Sequence, residues 1–228
     1  MTNILSSNDN YICAEKGYAI NVFSLDMKLI ISIPIDKCQA HSIDNNNNIH
    51  IATNNKFYIY DLRGKLINSW NLADNFKKKT RCRKISFSKN EIFMVDAVFN
   101  CVYVFSYEEK LIRSWGKIGN KPGEFNKPQG IAVYNNVVFV SEIENHRIQV
   151  FTCQGKFMFT CYDTCTHELE DIIIKNDYMY VTDYCCYNVL KLKIIYSNQK
   201  EQSPEIGNSR IRSVLPLRER GSRSQPFT

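Results

Sequence analysis

A unit of roughly forty residues recurs five times along this 228-residue chain, and a tandem repeat of that period restricts the fold more than any other feature. An acid or its substitute follows a strand-like run at Glu15, Thr53, Asp96, Glu142 and Asp183. A large apolar residue closes the next run at Phe23, Tyr60, Phe105, Phe151 and Leu192, positions that lie 37, 45, 46 and 41 residues apart. Two units also share an ending, Leu66-Ile67-Asn68-Ser69-Trp70 and Leu111-Ile112-Arg113-Ser114-Trp115.

The unit is clearest between Trp115 and Phe151. Gly116, Gly119, Pro122 and Gly123 punctuate a loop, and Gly130-Ile131-Ala132-Val133 begins a strand that must turn at Asn135-Asn136, a pair that tolerates positive φ. Val138-Phe139-Val140 returns, Glu142 to Arg147 forms a polar loop, and Ile148-Gln149-Val150-Phe151 alternates apolar and polar residues as a third strand. Gln154-Gly155 turns the chain into a fourth. Repeats of four short antiparallel strands predict an all-β fold, a β-propeller of about five blades, or six if the tail builds a degenerate one.

The blades run from about Asn3 to Ile33, Cys38 to Trp70, Cys82 to Trp115 and Lys127 to Cys161, with the fifth starting near Leu169. After Tyr196 the composition turns to Ser, Gln, Glu, Pro and Arg, which leaves the last blade without an obvious fourth strand. Ile211 to Leu215 is the segment able to return to that edge. The reading adopted from sequence is a propeller over 1–196 and a basic, disordered tail over 197–228.

Composition bounds the rest. A chain of this length buries a core as one all-β domain. The N-terminus has neither a basic region nor an apolar run, and no stretch approaches a membrane span of about 18 apolar residues, so an intracellular, cytoplasmic protein without membrane contact is expected. Nine scattered cysteines in such a chain read as reduced thiols filling the core.

Pro128-Gln129-Gly130-Ile131-Ala132-Val133, then Glu142 and Asn145-His146-Arg147-Ile148-Gln149-Val150-Phe151, resemble the NHL repeat. The likeness is closest in blade four and weakest in blade one. It implies a propeller, usually of six blades, and a range of roles: the partner-binding end of tripartite-motif ubiquitin ligases, a single-stranded RNA reader, a sensor, or a metal-dependent lyase. No RING or B-box segment precedes the repeats here.

Charge supplies the main site-level signal. In such a propeller the connections between blades share a face with the loops joining second to third strands. Lys77, Lys78, Lys79, Arg81, Arg83 and Lys84 against Asp74 give one connection +5, and Lys117, Lys121 and Lys127 against Glu124 give the next +2, in a chain whose net charge is +6. Phe76, Phe99 and Phe125 lie nearby as candidate stacking platforms, and His146 and Arg147 complete a candidate anionic-ligand face. The competing explanation is a solvated lysine-rich loop that keeps the protein in solution.

Glu142 beside His146 invites a catalytic reading, but recurring acids and a loop arginine serve more simply as loop-closing contacts. Four histidines from three blades do not form the converging set that a metal-dependent lyase needs. Cys161, Cys165, His167 and Cys185 are candidate zinc ligands from two neighbouring loops, although the spacing is not a strong zinc signature and inert thiols are the commoner outcome. The expectation is a non-enzymatic scaffold with no cofactor, no small-molecule substrate and a protein partner, with single-stranded RNA as the alternative.

Overall fold

The computed structural model describes residues 5–72, 80–161, 168–196 and 211–216. They form five four-stranded antiparallel sheets in a ring, each built from consecutive strands. Blade one comprises β1 (Leu5–Ser7), β2 (Tyr11–Lys16), β3 (Ala19–Ser24) and β4 (Leu29–Pro34); blade two, β5 (Cys38–Ile43), β6 (Ile49–Thr53), β7 (Lys56–Tyr60) and β8 (Leu66–Asn71). Blade three has β9 (Cys82–Ser88), β10 (Glu91–Asp96), β11 (Cys101–Ser106) and β12 (Leu111–Trp115), and blade four has β13 (Pro128–Tyr134), β14 (Val137–Glu142), β15 (Arg147–Thr152) and β16 (Phe157–Cys161). Blade five consists of β17 (Leu169–Lys175), β18 (Tyr178–Asp183), β19 (Asn188–Tyr196) and β20 (Ile211–Pro216).

The expectation of an incomplete last blade is corrected by β20, which pairs antiparallel with β19 from Leu192↔Pro216 to Tyr196↔Ile211. The local pattern stops at Tyr196 because residues 197–210 carry no strand signal, yet β19 would otherwise present an unpaired row of backbone groups. The sheet therefore continues past residue 196. Residues 197–210 and 217–228, the rest of the segment read from sequence as a tail, lie outside the described residues.

Strand alternation explains how blades stack. On β10, Ile92 and Met94 pack toward blade two while Phe93 and Val95 pack toward blade four, so the sheet of blade three buries both faces. One apolar cluster fills each of the interfaces between blades one and two, two and three, three and four, and four and five. The hairpin turns use the residues that tolerate left-handed backbone: Asn135 and Asn136 have φ of 49° and 59°, and Asn176 and Asp177 repeat the pair in blade five at 52° and 62°.

The five first strands surround a central channel whose cavity, about 240 Å³, is lined by residues such as Ser6, Ser42, Ser86, Ala132 and Ile173. Lys175 Nζ meets Asp9 Oδ1 at 3.2 Å and links blade five to blade one on the face bearing the first hairpin turns. The opposite end of the ring carries the second-to-third-strand loops and the blade-to-blade connections. This end is the loop face.

Candidate functional site

The loop face owes its shape to a β-bulge at the start of four first strands. In blade two Cys38 pairs with Thr53 and Ala40 with Ala52, which leaves Gln39 as the extra residue. In blade three the extra residue is Arg83, between Cys82↔Asp96 and Lys84↔Val95. In blades four and five the bulges fall between Pro128 and Ile131 and between Leu169 and Ile172, releasing Gln129 and Glu170. A bulge re-aims a side chain without disturbing the ladder beyond it, and here it places a ring of polar groups at the channel mouth.

These groups connect one blade to the next. Gln39 accepts a hydrogen bond from Cys82 N at 3.0 Å, Arg83 Nε donates to Gln129 Oε1, and Ser141 Oγ donates to the Glu170 carbonyl at 2.7 Å. Lys84 reaches across the channel to Asp171, Nζ to Oδ2 at 2.6 Å. Burial pushes the Glu170 carboxyl up, Arg83 pulls against it, and Glu168 and Asp171 add to the rise. Sequence reasoning missed Gln39, Gln129, Glu170 and Asp171. Their signal is a polar residue that breaks alternation directly after the first residue of each inner strand, as in Cys38-Gln39-Ala40 and Pro128-Gln129-Gly130.

Two of the recurring acids, Asp96 and Glu142, gather hydrogen bonds from the loops beside them. Asp96, fully buried, accepts the amides of Val98 and Phe99 at 2.7 and 2.9 Å through one oxygen and that of Arg81 at 2.9 Å through the other. Glu142, also fully buried, accepts from Asn126 N at 2.8 Å, Arg147 Nε at 2.6 Å, Gln149 Nε2 at 2.8 Å and the Asn145 amide. Arg147 then donates to the carbonyls of Asn120, Lys121 and Glu124 at 2.7, 3.1 and 2.9 Å. A planar five-donor fork suits this task, which closes the 116–127 connection.

The candidate anionic-ligand face is partly regrouped. Phe125 is fully buried against Phe151 and offers no platform for a base; its ring is core, because the connection folds back over blade four. Phe99 packs half-buried on the cluster between blades two and three. Lys84 is buried in its pair with Asp171, and Arg83 and Arg147 are half-buried in the contacts above. Arg81, Lys117, Lys121, Lys127 and His146 remain exposed, with Lys117 3.3 Å from Glu124 and Lys127 2.5 Å from Glu144. Phe76, Lys77, Lys78 and Lys79 lie outside the described residues.

The loop face also exposes apolar side chains: Tyr18, Val98, Ile118, Tyr184 and Tyr187, the last 89% exposed, with the two tyrosine rings 6.2 Å apart. Of the zinc candidates, Cys165 and His167 lie outside the described residues. Burial pushes the Cys161 thiol up to about 12, and exposed Cys185 is raised by desolvation and by Glu168 and Asp183. No group of three or more His, Cys, Asp or Glu with metal-holding geometry occurs among the described residues.

A second titratable cluster lies between blades two and three, toward the opposite face. His50 Nε2 and Asp44 Oδ2 are 3.0 Å apart, both buried, and Tyr107 Oη donates to the same oxygen at 3.4 Å. Asp44 Oδ1 accepts the amides of Asn46 and Asn48 at 2.8 and 2.9 Å, so the carboxylate organises the Asn-rich turn.

Residues 125–151 match the NHL repeat. A stretch of 46 residues is 41% identical to Protein brain tumor of Drosophila melanogaster, covering 20% of this chain and 4% of that protein. Among solved structures, a protein of unknown function from Bacteroides caccae aligns with a TM-score of 0.65 at 10% identity, over 84% of this chain and 77% of that one. Virginiamycin B lyase from Staphylococcus aureus aligns with a TM-score of 0.65 at 15% identity, over 90% and 70%. At these identities the likeness is one of fold. Blade four is thus an NHL repeat within a five-bladed propeller.

Proposed function

We propose that this propeller is a non-catalytic scaffold that binds a protein partner on its loop face. The observation that carries the reading is the mixture there of exposed tyrosine and aliphatic side chains with unburied cations, the composition of a binding hot spot within a polar rim. The resemblance of blade four to NHL repeats supports it. The acids that might suggest catalysis are held by backbone amides and a loop arginine, which favours a structural role for them.

A photo-crosslinking residue at Tyr187 or Ile118 should give a discrete protein adduct in cell extract, absent when the crosslinker replaces Met27, an exposed residue in the turn between β3 and β4 on the other face. Changing Tyr184 and Tyr187 to Ser should remove the Ile118 adduct. Adducts from Met27 alone would overturn the reading.

Single-stranded RNA is the second reading, favoured by Arg81, Lys117, Lys121 and Lys127 on that face. Anisotropy of labelled RNA pools at two salt concentrations separates the two. Affinity that falls steeply with salt and disappears when Arg81, Lys117, Lys121 and Lys127 become Ser would move the assignment to RNA.

A further inference from the structure

The ring has one interface unlike the others, the seam where blade five meets blade one. Blade four shows what a filled interface requires: its leading face, Ala132, Phe139, Ile148 and Val150, is 7%, 0%, 2% and 0% exposed against blade five. Aligning the ladders of β13 to β15 with those of β17 to β19 through Glu142 and Asp183 makes Ile173, Tyr180, Val189 and Lys191 the counterparts. Ile173 is 56% and Val189 60% exposed, Lys191 is exposed, and Tyr180 is only half-buried. Blade one mirrors this. Ile12, Ala14, Asn21 and Phe23 are half-buried, whereas the matching Val138, Val140, Gln149 and Phe151 of blade four are fully buried. Among the described residues no apolar cluster spans the seam, and Lys175 with Asp9 bridges it on an exposed edge.

We infer that this seam is a binding groove for an extended acidic and aliphatic peptide segment of a partner protein. Charge selects the occupant. Lys191 stands where blade four has the core residue Val150, its Nζ 4.7 Å from the centre of the Tyr178 ring and 5.8 Å from that of Tyr180, and Lys193 follows on the same face. Neither lysine has a carboxylate partner among the described residues, and both stand exposed beside an apolar surface. Ile173 and Val189 with Ile12 and Phe23 would take aliphatic side chains, and Lys191 and Lys193 the carboxylates between them. Residues 217–228 have the wrong sign for this place, with Arg218, Arg220 and Arg223 against Glu219. This site is separate from the loop face, and its test does not depend on that assignment.

The probes are a fluorescent heptapeptide alternating Glu or Asp with Leu and Ile, and its counterpart with Lys at every acidic position, titrated against the full chain by anisotropy. The acidic peptide should bind at least about tenfold more tightly than the basic one, the size of one well-placed charge pair, and the difference should shrink with salt. The double variant Lys191→Glu and Lys193→Glu, with its thermal melt recorded to confirm an intact fold, should reverse the preference. Equal affinity for both peptides, or a preference that the double variant leaves intact, overturns the proposal. So does sedimentation as a dimer that the same variant dissociates, which would make the occupant a second copy. Retention of the Ile118 crosslink in the double variant keeps the two assignments distinguishable.

Discussion

Gly130 and His50 are single residues whose chemistry the interfaces depend on. A Cβ on Gly130 would stand 2.5 Å from the Glu170 carbonyl and 2.7 Å from Ser141 Oγ, the contacts that hold blade four to blade five. Gly130→Ala should therefore destabilise the protein by about 2 kcal/mol through overpacking, read as a lower denaturation midpoint. Gly17→Ala meets nothing within 4 Å but forces a side chain onto a φ of 65°, and should cost only about 1 kcal/mol. His50 governs acid sensitivity. Burial holds its imidazole below the ordinary 6.5, with Asp44 opposing. Burial alone would raise the Asp44 carboxyl, but hydrogen bonds from His50 and Asn48 bring it below 3.8. The unfolded chain takes up the histidine proton as pH falls through 6.5 while the folded chain does not, so stability is lost from there downward; the carboxylate adds a second loss below 3.8. The melting temperature should fall between pH 7 and 5, and His50→Phe, the residue type at the matching position of blades three and four, should flatten that slope.

At the scale of an element, the 116–127 connection shows both what a sequence discloses and what it withholds. Its glycines, its proline and the Asn-His-Arg signature announce a shaped loop, and the loop-closing role of Glu142 and Arg147 follows from residue type. Arg147→Lys keeps the charge and loses the fork, so hydrogen exchange should accelerate at residues 120–126 while the amides of β14 and β15 stay protected. The burial of Phe125 was not legible, because a phenylalanine in a polar loop looks the same whether it faces solvent or folds inward. The bulges were illegible for a related reason. An extra residue at a strand start is indistinguishable from loop until the partner strand fixes the register, which is why the blade-to-blade contacts at Gln39, Gln129 and Glu170 do not follow from the sequence. The paired roles of Lys84 and Asp171 depend on strands 87 positions apart facing each other across a channel.

For the whole molecule, the repeat period sufficed to define the architecture, since a stack of such units has few ways to bury both faces. The last strand did not follow from pattern, because β20 is joined to β19 through residues without periodicity. Truncation after residue 196 should expose the edge of β19, lower the melting temperature and produce concentration-dependent association in light scattering, and unchanged melting and scattering would argue against the β19–β20 pairing. Every blade takes its four strands from one unbroken stretch of chain, and β1 to β4 and β17 to β20 exchange no strand at the seam. Assembly can therefore run in the order of synthesis, each sheet forming from neighbouring sequence as it leaves the ribosome and docking on the one before it, with the end-to-end contact made last. In evolutionary terms, such a ring can gain or lose a whole blade by duplication or deletion of one gene segment, without a strand shared between first and last having to be rebuilt.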